Sequence, residues 1–157
     1  MYASLISSNL ERQAERKSSI EQRGLSVIST SGALVTLQFA LVAVITGDDS
    51  FSFSRPEKAA LGTSLLLFVV ASVLGLLSNQ TQRYPYISSD QLEKFTKPDA
   101  WLASSDAAAR RVAAAQVSML RSARKKNGTK AKLLRYAIFV EVGAVAALAA
   151  CVGLILA

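Results

Sequence analysis

Histidine is absent from this 157-residue chain, and cysteine occurs once, at Cys151. A His–Cys zinc site, a Ser–His–Asp triad and a Cys–His dyad therefore cannot be assembled within one copy. An intramolecular disulfide lacks its second sulfur, so cysteine usage says nothing about redox compartment. No G-x-x-x-x-G-K-[ST] or G-x-G-x-x-G pattern occurs, which removes the standard phosphate loops. The expectation is a non-enzymatic protein with no catalytic residues, no metal site and no cofactor. Charge is missing too, but only locally. Three long windows contain a single Asp, Glu, Lys or Arg, while the remaining charges, 18 basic against 11 acidic over the whole chain, crowd between them.

That segregation points to lipid as solvent. The first window, Leu25 to Thr46, is uncharged, and at 1.5 Å rise per residue it covers about 33 Å, enough for a hydrocarbon core of roughly 30 Å. A polar, mixed-charge segment precedes it and Gly47-Asp48-Asp49 is a poor cleavage site, so a retained span is expected rather than a cleaved signal sequence. The second window is Ala59 to Ser78, with Pro56 just ahead of it, where a first-turn proline is tolerated, and Glu57 suited to a helix N-terminus. The third is Tyr136 to Ala157, interrupted only by Glu141; the chain is expected to end as this helix leaves the bilayer.

A water-soluble bundle would need polar faces at a 3.6-residue period. From Leu65 through Leu77 only Ser72 and Gly75 are not hydrophobic, and helices apolar all round belong in lipid or in a much larger core. The expected fold is all-α, an integral membrane protein forming one domain over residues 1–157. Three transmembrane helices (25–46, 59–78 and 136–157) are joined by a juxtamembrane N-terminal helix and a cytoplasmic helix within residues 79–135. Abundant alanine suits this helical reading.

Counting lysines and arginines in the connections orients the spans. Four precede the first span (Arg12, Arg16, Lys17, Arg23), two lie in the first connection (Arg55, Lys58, beside Asp48, Asp49 and Glu57), and twelve run from Arg83 to Arg135. The N-terminus and residues 79–135 are expected in the cytoplasm, the Gly47–Lys58 loop and the C-terminus outside.

In the polar parts, Ser8-Asn9-Leu10-Glu11 has capping-box spacing, ahead of a helix-prone stretch with Leu10, Ala14 and Ile20 as a thin apolar stripe. Tyr84-Pro85-Tyr86 is suited to a membrane interface; Pro98 and Trp101 follow in a less regular stretch. Ser104-Ser105-Asp106 offers N-caps for a helix carrying Ala109, Val112, Ala113, Leu120 and Ala123 along one side. Small alanines favour packing of that helix against the N-terminal one over insertion in the bilayer surface. Asn127-Gly128 is expected to stop or kink it. The sequons Asn79-Gln80-Thr81 and Asn127-Gly128-Thr129 both fall on the inner side and are read as chance.

Several residues are candidates for function. Arg121, Arg124, Lys125, Lys126, Lys130, Lys132 and Arg135 form a basic cluster beside the third span. It suits an anionic lipid surface or a phosphate-bearing ligand, although the positive-inside signal alone also accounts for it. Nucleic acid is disfavoured because no base-stacking aromatics are interleaved. Glu141 is the one ionisable acid in a span, open to a structural contact, a meeting with Arg23, or a gating role. Ser26, Ser29, Ala33, Thr36, Ala40 and Ala43 line one side of the first span, with Gln38 on another. Gly143, Ala147 and Cys151 recur in the third, and Ala71 and Gly75 in the second. Small residues at this interval serve intramolecular packing, or self-association with Gln38 and Ser31 hydrogen-bonded between copies.

One arrangement goes beyond a generic membrane protein. A charged helix, ERKSSIEQRGLSVISTSGALVTLQFAL, passes directly into a Ser/Gly/Ala-containing span. A second span follows closely, and a cytoplasmic helix, AAAQVSMLRSARKKNGTKAKLLRYAIFV, feeds the last. This layout resembles the transmembrane effectors of Pycsar, a bacterial anti-phage system. In that family a partner cyclase makes cyclic CMP or cyclic UMP and the effector impairs the membrane. The resemblance implies a homo-oligomer in the bacterial inner membrane that responds to such a nucleotide; it brings no catalytic residues. The alternative is a structural or accessory subunit of a larger membrane complex. A membrane enzyme or transporter lacks the nucleophile–base pairs or the several intramembrane charges it would need.

Overall fold

The computed structural model describes residues 2–47, 53–80, 93 and 104–156. Asp48 and Asp49 of the first connection, and Arg83, Tyr84-Pro85-Tyr86, Pro98 and Trp101 of the second, lie outside the described residues, as do Thr81 and Ala157. The described residues form three long helices and no strand: α1 (Tyr2–Thr46), α2 (Arg55–Asn79) and α3 (Ser105–Leu156). Each contains a stretch long and apolar enough to cross a membrane.

The helix starts and continuations have local causes. Pro56 sits in the first turn of α2, and the Glu57 carboxylate accepts the backbone N–H of Ser54 at 2.7 Å, which satisfies a donor the helix itself cannot reach. Ser104 caps α3, its hydroxyl accepting Ala107 N–H at 3.4 Å. Two expected punctuation marks are overridden. Ser8 lies within α1 rather than at its start. There, Asn9 Nδ2 donates to the Leu5 carbonyl at 2.9 Å inside a continuing helix. Asn127-Gly128 does not stop α3. Asn127 is fully buried, and its side-chain amide is consumed by a tertiary contact described below, so it has no part in terminating the helix.

Contacts divide the chain into two compact units. The first comprises Met1–Ser19 and Thr81–Thr129. In it Asn127 Nδ2 donates to the Gln13 backbone carbonyl at 2.9 Å and to Gln13 Oε1 at 3.2 Å, while Arg124 donates to Asn9 Oδ1 at 3.3 Å. These contacts join the N-terminal helix to α3 at Arg124 and Asn127; of the expected apolar face, Ala113, Leu120 and Ala123 are half-buried, whereas Ala109 and Val112 are exposed.

The second unit comprises Ile20–Gln80 and Lys130–Ala157. Its buried residues recur at steps of three, four and seven: Ile20, Gly24, Val27, Ser31 and Gln38 on α1; Ser64, Phe68, Ala71, Gly75 and Ser78 on α2; Lys130, Leu134, Ala137, Ala144 and Cys151 on α3. That period of 3.5 is the repeat that general helix-packing rules associate with a left-handed seam. Ile20, Val27, Ala71, Leu134 and Ala137 form its apolar centre, with Leu74, Ala131 and Val140 against it. Most other seam residues are small, so the backbones approach closely. At Gly24 an added Cβ would lie 2.7 Å from Ser78 Oγ and 3.2 Å from the Gly75 carbonyl.

The face turned inward on α1 is not the expected one. Ser26, Ser29, Ala33, Thr36, Ala40 and Ala43 are all exposed, and the neighbouring face carrying Gly24, Ser31 and Gln38 is buried. Burying Gln38 and Ser31 gives the Gln38 amide N–H groups and the Ser31 hydroxyl acceptors on other helices, whereas alanine and a hydroxyl bonded to its own helix, as in Thr36, need no such partner. On α2 and α3 the expected small residues do pack: Ala71, Gly75 and Cys151 are buried, and Gly143 faces Leu67.

Candidate functional site

The second unit's polar groups form separate layers along its seam. Toward the start of its α1 and α3 segments, Lys130 Nζ lies 2.7 Å from Glu21 Oε1, with the lysine side chain fully buried and the glutamate 27% exposed. A buried ammonium needs that partner, since its own desolvation is costly. Lys130 is thereby withdrawn from the basic cluster into a tertiary ion pair. Of the other cluster residues, Arg121, Arg124 and Lys125 are exposed in the first unit, Arg124 also reaching Asn9, and Lys126 is half-buried; Lys132 and Arg135 are exposed in the second.

The next layer is built on Glu141. Its Oε1 accepts from Thr30 Oγ1 and, at 3.2 Å, from Ser31 Oγ. These hydroxyls, rather than Arg23, are its partners, because α1 presents Thr30 and Ser31 to the α3 position that carries the carboxyl. Thr30 Oγ1 also lies 2.9 Å from the Ser26 carbonyl, and its single proton serves one acceptor at a time. An open groove of about 340 Å³ runs beside this layer, lined by Thr30, Leu34, Glu141, Val142 and Val145.

A third layer joins α1 to α2. Gln38 Nε2 donates to the Leu61 carbonyl at 2.8 Å and to Ser64 Oγ at 2.6 Å, while Ser64 Oγ donates to the same carbonyl at 2.9 Å. Gln38 and Ser31 thus make these hydrogen bonds within one chain. Gln38 Oε1 is buried with no hydrogen-bond partner among the described residues. An amide with its donors satisfied and its acceptor stranded contributes little net stability. Gln38→Leu is therefore expected to change stability by less than about 1 kcal/mol, measured by denaturant unfolding in detergent micelles. A loss above about 3 kcal/mol would mean that the stranded oxygen has a donor and the layer is a full network.

Buried Cys151, the last polar seam position, places Sγ 3.5 Å from the Glu57 carbonyl, a weak contact for a thiol donor. Among the described residues no three His, Cys, Asp or Glu side chains gather as a metal-ligand set. The site chemistry is thus a series of hydrogen-bonded and ion-paired layers inside an apolar bundle. Sequence spacing singled out Glu141 and Gln38 by their polarity in apolar windows, but missed Glu21, Thr30 and Ser64, which only tertiary packing pairs with them. Neither a protein-family model, nor a curated protein, nor a solved structure matches the chain.

Proposed function

We propose that the protein is inserted in a membrane through its three apolar helices and acts there as a non-enzymatic effector. The observation that carries insertion is the inversion of polarity across the second unit. Ser31, Gln38, Ser64 and Ser78 are buried, while Leu37, Val44, Leu66, Leu76 and Phe139 are each more than 60% exposed. Water would reverse that arrangement; hydrocarbon, which cannot satisfy polar groups, favours it. The spans are placed with the N-terminus and residues 79–135 in the cytoplasm and the C-terminus outside, by the distribution of Lys and Arg.

As in the Pycsar effectors that the chain resembles, the proposed signal is cyclic CMP or cyclic UMP, the proposed response a loss of membrane integrity, and the proposed location the bacterial inner membrane. Exposed Arg121, Arg124 and Lys125 support it as cations available to an anionic nucleotide. A nucleotide that binds one assembly state more tightly shifts the population toward that state. Liposomes containing the protein are expected to release trapped dye faster when cyclic CMP or cyclic UMP is added, and slower again with Arg121→Ala/Arg124→Ala/Lys125→Ala. Leakage indifferent to both nucleotides would remove the effector reading.

The outward small-residue face of α1 favours contact with a further helix, either from a second copy or from another subunit of a complex. Purification in mild detergent separates the two. A homo-oligomer fits the effector, and a stable hetero-complex fits an accessory subunit.

A further inference from the structure

We propose that the groove between α1 and α3 in the second unit holds an acyl chain of an anionic phospholipid whose phosphate lies between Arg23 and Arg135. The groove is open to the surroundings, and Leu34, Val142 and Val145 make its walls apolar. The Glu141 oxygen in it is turned toward Thr30 and Ser31.

The charge above the groove follows from helix periodicity. Arg23 precedes Thr30 by seven residues, and Arg135 precedes Val142 by seven. Seven residues are close to two turns, so each arginine stands on its groove residue's face, about 10 Å nearer the helix N-terminus. The arginines stand within roughly 5 Å of one level along the axis, at 1.5 Å rise per residue, because α1 and α3 run parallel through this unit. Glu21 meets Lys130, Thr30 meets Glu141, and Ile20 and Val27 share a cluster with Leu134 and Ala137.

Both arginines are exposed, and neither makes an ion pair or hydrogen bond among the described residues. Glu21, two residues before Arg23, is engaged by Lys130. The interfacial layer outside the hydrocarbon is roughly 5–8 Å thick on each side. A phosphate held at the arginines therefore sends its chains down to the depth of the groove. Paired guanidinium forks suit a phosphate. A zwitterionic lipid would bring an ammonium against them, and a free phosphate would leave the groove unfilled. Glu141, six residues beyond Arg135, lies deeper than the headgroup and forms part of the wall.

The site rests on the proposed membrane insertion and is independent of the nucleotide signal. It is tested by reconstituting the protein in equimolar phosphatidylcholine and phosphatidylglycerol, extracting it in mild detergent, and counting retained lipids by native mass spectrometry. Retention is expected to favour phosphatidylglycerol. Arg23→Ala/Arg135→Ala lowers that preference about 30-fold, at roughly fivefold for each of the two charges removed. Val142→Trp, which fills the groove without touching charge, lowers retention of phosphatidylglycerol as well. Arg110→Ala/Arg111→Ala, at exposed arginines remote in sequence from the groove, leaves retention unchanged, and circular dichroism confirms that each variant is folded. Equal retention of both lipids, a preference that survives Arg23→Ala/Arg135→Ala, or displacement of the lipid by water-soluble glycerol phosphate would each overturn the proposal. Extraction of the protein from vesicles by alkaline carbonate would instead overturn insertion itself, so the two failures are distinct.

Discussion

Replacing Glu21 with alanine is expected to cost about 3 kcal/mol of stability, the lower end of the range for breaking a buried ion pair. The change leaves the fully buried Lys130 ammonium without the carboxylate 2.7 Å away. Water reaching the site through Glu21, which is 27% exposed, relieves part of the penalty and sets the effect below that of a fully enclosed pair. Glu21→Ala/Lys130→Met is expected to recover stability to within about 1 kcal/mol of the unaltered chain, because two uncharged side chains impose no desolvation cost. Denaturant unfolding in micelles followed by circular dichroism measures both. If Glu21→Ala and the double variant lost equal amounts, the ammonium would not be the source of the loss.

Gly75→Leu is expected to have a comparable or larger effect through crowding alone. A Cβ at position 75 would meet the Gly24 carbonyl at 3.1 Å and Ile28 Cγ1 at 3.2 Å. The carbonyl is helix backbone and cannot rotate away, so a branched side chain has to push α2 off α1. Overpacking costs about 1–3 kcal/mol where a core adapts, and more where backbone must move. Gly62→Leu, where nothing lies within 4 Å of the added carbon, is expected to stay within about 0.5 kcal/mol in the same assay. Equal losses at the two positions would show that α1 and α2 do not pack through Gly24 and Gly75.

The helical class and the starts of α2 and α3 were legible in the chain because they depend on local signals: uncharged windows of spanning length, Pro56 and Glu57 at the start of α2, and Ser104 before α3. The full lengths of α1 and α3, which run through Ser8 and Asn127-Gly128, were not. The choice of buried face on α1 was not legible from small residues alone. Two faces of that span carry small side chains, and in lipid neither is excluded by polarity when its hydroxyls bond to their own helix, as Thr36 does to the Gly32 carbonyl. Gln38 distinguishes the faces, since its amide finds its acceptors on a second helix, at the Leu61 carbonyl and Ser64 Oγ. Asn127 misled in the same way. Beside glycine it has the composition of a helix terminus, yet its amide reaches across to Gln13, and a tertiary bond outweighs a local preference. The Glu21–Lys130 pair was hidden because its partners are 109 residues apart and each is surrounded by other charges in sequence.

The basic cluster shows how packing subdivides a run of like charges. Lys130 occupies a seam position and is consumed by Glu21, whereas Arg121, Arg124, Lys125, Lys132 and Arg135 remain on the surface. Composition gives the number of cations, and helix period decides which of them face outward.

The most direct test of lipid as the solvent is site-directed spin labelling in reconstituted vesicles, with Cys151 replaced by serine and single cysteines introduced at Leu37, Leu66 and Phe139, which are 63%, 65% and 68% exposed. Collision rates with oxygen, which concentrates in hydrocarbon, are expected to exceed those with a water-soluble nickel chelate at all three positions. Nickel collisions as frequent as oxygen collisions would place these side chains in water and contradict the account.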